Sequence, residues 1–200
     1  LQRMLMRVNF PLLLVLLSLS FPSFGADFQK GLSAARSGDF ATAVKEFTPL
    51  AEQGNATAQF NLGVMYATGR GVPQNYKVAE QWYILAATQG DVEAQYNLGV
   101  MYRNGFGIPQ NDQAAVEWFR LAAEQGNVPS QFNLGHLYDR GEGVLQDNIY
   151  AHMWWNIAAS LGNDPASKNR EIIAKRMTPT DISAAQKLAR ECVAKDYKGC

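Results

Sequence analysis

The chain has 200 residues, with 18 basic and 18 acidic side chains, no formal net charge and 47% hydrophobic residues. That length suits one domain or one short array, with a core that needs neither metal nor disulfides to hold it. The balanced charge excludes a basic nucleic-acid binder, and Lys and Arg form no stripe that would follow a phosphate backbone.

Residues 1–26 open with Arg3 and Arg7 and contain no acid; an apolar run from Phe10 to Leu19 follows, then Ser20 to Ala26. Basic, apolar and small in that order is the pattern of a secretory signal peptide, and the run is too short to span a bilayer comfortably. Cleavage is expected after Gly25 or Ala26, against the competing readings of a retained anchor or a buried helix. Taking Arg3 and Arg7 from the 18 basic residues leaves 16 against 18 acidic ones, so the mature chain is mildly acidic. Cys192 and Cys200 are the only cysteines. An oxidising compartment permits a bridge between them that would pin the tail to the last helix, two free thiols being the alternative. The spacing is not that of a CxxC redox pair.

Past the leader, glycine sets a period. Gly54, Gly90, Gly126 and Gly162 lie 36 residues apart, and three further glycine series begin at Gly63, Gly69 and Gly71. Together they hold 13 of the 17 glycines. Asn61, Asn97 and Asn133 keep the same step, as do Leu62, Tyr66 and Trp82 with their equivalents. Such self-similarity marks a repeat array.

The first hairpin spans residues 27–54. Phe40, Ala43 and Phe47 match the second half of a unit, while the helix from Phe28 to Ser37 departs from the pattern and reads as a cap. Complete units follow at 55–90, 91–126 and 127–162. In each, a first helix (Ala56 to Tyr66 in the first) carries Ala58, Leu62, Gly63 and Tyr66 on one face. Glycine mid-helix costs about 1 kcal/mol, so Gly63 points to close approach of a neighbouring helix. Gly69 and Gly71 suit a turn, and a phosphate cradle is excluded by the missing Lys-Ser/Thr ending and strand. A second helix, Tyr76 to Gln89, turns Ala79, Trp82, Tyr83 and Ala86 one way and ends at Gly90 in a left-handed cap. Asn75, Asp112 and Asn148 offer capping oxygens at the starts of the second helices. The three tryptophans read as interhelical core rather than a ligand cage. Residues 163–200 form capping helices, with Pro165 in a first turn and Thr180 as the expected cap of the last. The sum is about ten helices in five hairpins, all α.

Ala-x-x-x-Leu-Gly-x-x-Tyr, Gly-x-Gly, Ala-x-x-Trp and Ala-Ala-x-x-Gly together resemble the Sel1-like repeat, a relative of the tetratricopeptide repeat, over residues 39–162. The third copy departs from the pattern with Ser130, His136 and Leu145. The resemblance implies an α-solenoid of antiparallel helix pairs serving as a non-enzymatic adaptor, commonly in bacterial envelopes. A bacterial periplasmic or secreted location follows from it together with the leader. Some secreted, cysteine-rich relatives are linked to penicillin binding or β-lactamase activity, but they carry a disulfide in each repeat, which this chain lacks. A cell-wall hydrolase or peptidoglycan-binding protein is therefore the alternative.

No catalytic signature appears. His136 and His152 belong to no metal motif, Ser-x-x-Lys and Gly-x-Ser-x-Gly are absent, and no cofactor is expected. The candidate binding surface is the inner face of the superhelix, lined by the first helices. There the wheel places Thr57, Asn61, Val64 and Thr68, then Glu93, Asn97, Val100 and Asn104, then Pro129, Asn133, His136 and Arg140. The asparagines suit either a bound peptide backbone, as donor and acceptor together, or neighbouring backbone that keeps the repeats in register. The expected partner is a protein or peptide, not nucleic acid. The membrane is met only through the signal peptide, and the chain is expected to be a monomer.

Overall fold

A computed structural model describes residues 26–200, so the leader expectation for residues 1–25 lies outside the described residues. Ten helices and no strands occur among them. They are α1 (Phe28–Ser37), α2 (Phe40–Glu52), α3 (Ala56–Thr68), α4 (Tyr76–Thr88), α5 (Val92–Asn104), α6 (Asp112–Ala123), α7 (Val128–Arg140), α8 (Asn148–Ser160), α9 (Asp164–Ala174) and α10 (Pro179–Ala194). From α1 to α9 each helix packs on the next in the chain, which makes a solenoid.

Polar caps punctuate the chain. Asn55, Asp91, Asn127 and Asn163 start α3, α5, α7 and α9, each side chain accepting from a backbone N–H three residues on. Each such cap contributes about 1 kcal/mol. Asn75 caps α4 as expected, but α6 and α8 start one residue earlier than the sequence suggested, on Asn111 and Asp147 rather than Asp112 and Asn148. The last helix is capped by Thr178, not Thr180. Thr178 and Asp181 exchange bonds in a capping box, with Pro179 in the first turn, where its missing N–H goes unnoticed.

Inside each unit a glycine admits an aromatic ring. A Cβ on Gly63 would lie 2.5 Å from the ring of Tyr83, and one on Gly99 would lie 2.6 Å from Phe119. Gly135 meets Trp155 in the same way. Between units the second glycine of Gly-x-Gly does similar work. Gly71 has φ +74° and lies against the backbone of Phe40, one repeat back. The first hairpin keeps this device although its sequence departs from the repeat. Gly31 in α1 meets Phe47 in α2, with a Cβ–ring distance of 2.7 Å. The seven-residue turn between paired helices has shrunk there to Gly38 and Asp39.

The end of the array differs from five hairpins. α9 and α10 do not pack as a pair; α10 folds back onto α8. The reason lies in the period. Arg170 and Glu171 in α9 stand where Leu62 and Gly63 stand in α3, so α9 offers no apolar slot for a following helix. Ala189 and Cys192 of α10 instead join Phe119, Leu134, Met153, Trp154 and Ile157 in one buried cluster. Cys192 is bridged to Cys200, with Cα atoms 5.5 Å apart. That loop brings Tyr197 against the same cluster, beside Gly126.

Candidate functional site

The first helices touch one another along the array, α3 on α5 and α5 on α7, and the second helices show no comparable contact. Close spacing on one side and wide spacing on the other defines a curve, with α3, α5 and α7 lining its inner face.

The groove residues divide into two sets. Thr57, Thr68, Glu93, Asn104, Pro129 and Arg140 are exposed, while Asn61, Asn97 and Asn133 are half-buried. Val64, Val100 and His136 are also half-buried, because each leans on its neighbours in the stack. Val64 packs on the cluster of α4 and α5, and Val100 on that of α6 to α8. The His136 ring lies edge-on to Phe132 at 4.7 Å and Trp155 at 5.3 Å, and its Nε2 is 3.2 Å from Asn169 Nδ2.

The asparagine geometry settles one point of chemistry. Asn61 Nδ2 donates to the carbonyl of Thr57 at 2.7 Å, and Asn133 Nδ2 donates to that of Pro129 at 2.8 Å. Asn104 Nδ2 likewise donates to Val100 O at 2.8 Å, and the Thr68 hydroxyl donates to Val64 O at 2.7 Å. A carbonyl only accepts, so the direction of these bonds is fixed. These side chains spend one donor on their own helix, and each amide keeps a second N–H and its Oδ1. In Asn133 that oxygen accepts from Arg103 Nη1 at 2.7 Å, tying α7 to α5.

Charge is graded along the groove. α3 has no charged residue. Around α5 and α7, Glu142 lies 3.7 Å from Arg103 and 3.6 Å from Arg140, and Arg176 pairs with Asp139. Burial holds the His136 imidazole below its usual range, helped by Arg103 and Arg140. Burial does the same for His152, with Arg170 adding to it. Both rings are therefore neutral at pH 7. Among the described residues no group of three His, Cys, Asp or Glu side chains is placed to hold a metal ion. No described helix is long and apolar enough to cross a membrane.

Each tryptophan of the 36-residue series packs between helices. Trp82 lies on the cluster of α1 to α3, Trp118 on that of α4 and α5, and Trp154 within that of α6 to α8.

A further repeated set escaped the sequence argument although it shares the period. Gln59, Gln95 and Gln131 are buried, and each Nε2 donates to an alanine carbonyl eight residues earlier. Gln89 Nε2 donates to Gln59 Oε1 at 2.7 Å, and Gln125 Nε2 donates to Gln95 Oε1 at 2.8 Å. The third pair is broken, since Leu161 stands where the donor should be and Gln131 Oε1 has no partner.

The Sel1 repeat family model matches residues 56–91, 92–127 and 128–163. No curated protein matches the chain. Among solved structures, c5321, a protective antigen of uropathogenic Escherichia coli with an SLR fold, is 37% identical with a TM-score of 0.63. That match covers 70% of this chain and 34% of the other, so the chain spans about a third of that protein's length. A Sel1 repeat protein from Oxalobacter formigenes is 28% identical with a TM-score of 0.68, covering 83% of this chain and 75% of that one. Proteins of this fold generally serve as protein–protein interaction scaffolds. Three matched units spanning more than half of the chain, on a helical solenoid shared with solved relatives, show that it belongs to the Sel1 repeat family.

Proposed function

We propose that the protein is a non-enzymatic scaffold whose inner groove, along α3, α5 and α7, holds a peptide or a protein segment outside the cytoplasm. The observation that carries this reading is the ladder of groove asparagines. Asn61 and Asn133 each donate one amide N–H to their own helix, which leaves Asn61 a second N–H and its Oδ1 beside the uncharged surface of α3. A partner's backbone is therefore met at both its N–H and its C=O groups at the α3 end, and by charge near Arg103, Arg140 and Glu142 at the other. The extracytoplasmic location is supported by the order of residues 1–26 and by the Cys192–Cys200 bridge. The cell-wall hydrolase alternative gains no support from the family or from the solved relatives.

The test is photo-crosslinking from the native envelope, with the probe placed at Asn61 or Asn97 and, as a control, at Gln81 on a second helix. Adducts to a discrete protein from the groove positions are the expected result. Hydrolysis of muropeptides with no groove adduct overturns the reading. Sequencing the N-terminus of the exported protein tests the leader, and a start at Leu1 refutes cleavage.

A further inference from the structure

α10 lies on the outer side of the array, and the repeat shows what it covers there. Under it Met153, Trp154 and Ile157 of α8 are buried to 2% exposure or less. One period earlier the same positions are Glu117, Trp118 and Leu121 of α6, all only half-buried. One period earlier again, Leu85 of α4 is 45% exposed. The difference is the footprint of α10, since the backbone and the packing beneath repeat.

The uncovered copy on α6 differs from the covered one in charge. Glu117 replaces Met153, and Glu80 on α4 replaces Val116. Glu80 accepts from the Tyr102 hydroxyl at 2.6 Å. Arg120 of α6 is turned to the Tyr138 hydroxyl of the next repeat at 3.1 Å. Trp118 Nε1 is buried without an acceptor.

We propose that the outer face of α6, with the adjoining edge of α4, is a docking site for an amphipathic helix of a partner protein. The helix is of the α10 kind, with a stripe of small residues for Trp118 and Leu121 and a basic residue for Glu117. α10 itself shows the fit, because Ala185, Ala189 and Cys192 are its buried stripe on the equivalent surface. A second copy of this chain is not the occupant. Its own α10 is engaged on α8 and tied down through Cys192. The site lies on the opposite side of the array from the groove, so the two stand or fall separately.

The probe is a labelled peptide of residues 178–195 with Cys192→Ser, titrated with the full chain and followed by fluorescence anisotropy. Saturable binding is expected. It should tighten about tenfold in Glu117→Met, which rebuilds the α8 surface on α6. It should be lost in Leu121→Glu and in the more exposed Leu85→Glu, with helical circular dichroism unchanged. A second peptide carrying Ala189→Lys should show the reverse preference, binding the natural chain better than Glu117→Met. The proposal is overturned if neither the natural chain nor Glu117→Met binds, or if Leu121→Glu and Leu85→Glu bind normally. Loss of peptide binding on Asn61→Ala in the groove also overturns it. So does self-association of the chain that Leu121→Glu abolishes, which would give the face to a second copy.

Discussion

The broken glutamine pair makes a stability prediction in both directions. In repeats one and two a buried Gln oxygen is satisfied by Gln89 or Gln125, whereas Gln131 Oε1 has no partner and Leu161 stands at the donor position. The backbone at Leu161 (φ −99°, ψ 15°) nearly matches that at Gln89 (φ −88°, ψ 1°), so a glutamine there would project the same way. Leu161→Gln supplies the missing donor. An unsatisfied buried acceptor costs about 1–3 kcal/mol. Against this, Leu161 is 46% exposed, so removing it forfeits about 1 kcal/mol of apolar burial. The net gain is about 1 kcal/mol, or roughly 2–4 °C in Tm for a chain of this size. Gln125→Leu makes the opposite change, orphaning Gln95 Oε1 at a cost of about 1–3 kcal/mol. The two sites lie in different repeats, so the double variant should give the sum of the singles. Urea midpoints with unchanged m-values, alongside thermal melts, read the effect. If Leu161→Gln is neutral and Gln125→Leu costs less than about 0.5 kcal/mol, solvent already satisfies these oxygens and the pairing carries no stability.

Other perturbations separate packing from chemistry. Gly99→Ala places a methyl 2.6 Å from the buried ring of Phe119 and should cost about 1–3 kcal/mol despite its better helix propensity, read as a lower urea midpoint. Cys192→Ser with Cys200→Ser frees the tail, and closure of so short a loop is worth about 2–3 kcal/mol, expected as a Tm lower by several degrees under non-reducing conditions. Stability should fall on acidification in two stages. Burial holds the His136 and His152 imidazoles below the ordinary histidine value of 6.5, so their contribution is full above that pH and is lost as pH falls through the depressed values. Denaturant midpoints between pH 7 and 5 should show the loss, and His152→Phe should reduce it. Below about 4.5 the buried Glu46 adds a second loss. Its carboxylate is held down in pKa by the Lys30 ammonium at 2.5 Å and by the Asp27 N–H, and it must protonate there.

Helix pairing and glycine placement were legible because each leaves a period of 36 in the chain. The errors are local or lie beyond one helix. Asn111-Asp112 and Asp147-Asn148 each offer two capping residues in a row, and only the register of the first turn decides between them. For the last helix, Pro179 was the signal, since proline at the first helical position places the cap at Thr178. The refolded end was also readable: continuing the series past Gly162 sets Arg170 and Glu171 at the Leu and Gly positions. The wheel places Val64, Val100 and His136 on the groove, and the structure adds that each also leans on its neighbours, because a first helix in a solenoid packs one face on its partner and another along the stack. The wheel cannot show the second face. The groove asparagines were visible, while the direction of their bonds needed coordinates.

The departures from the repeat gather in one place, and the last helix follows from that. Among the described residues, the side-chain polar atoms left buried and unpartnered are Trp118 Nε1, Ser130 Oγ, Gln131 Oε1, Asn148 Oδ1, His152 Nδ1 and Trp154 Nε1. All but the first belong to the third repeat. In an array held by nearest-neighbour contacts, one poor unit weakens everything beyond it, and an unsatisfied buried group costs about 1–3 kcal/mol. α9 also carries Arg170 and Glu171 where the earlier first helices have an apolar slot, so it takes no partner helix of its own. α10 adds apolar burial to this unit by folding back over α8, where Met153, Trp154 and Ile157 are fully buried. The cystine then fixes Tyr197 to the same cluster. The terminal helix and its bridge thus act as the clamp of the unit that departs most from the repeat. Removing α10 should loosen α7 to α9 first and leave α1 to α5 protected, as amide exchange along the chain would show.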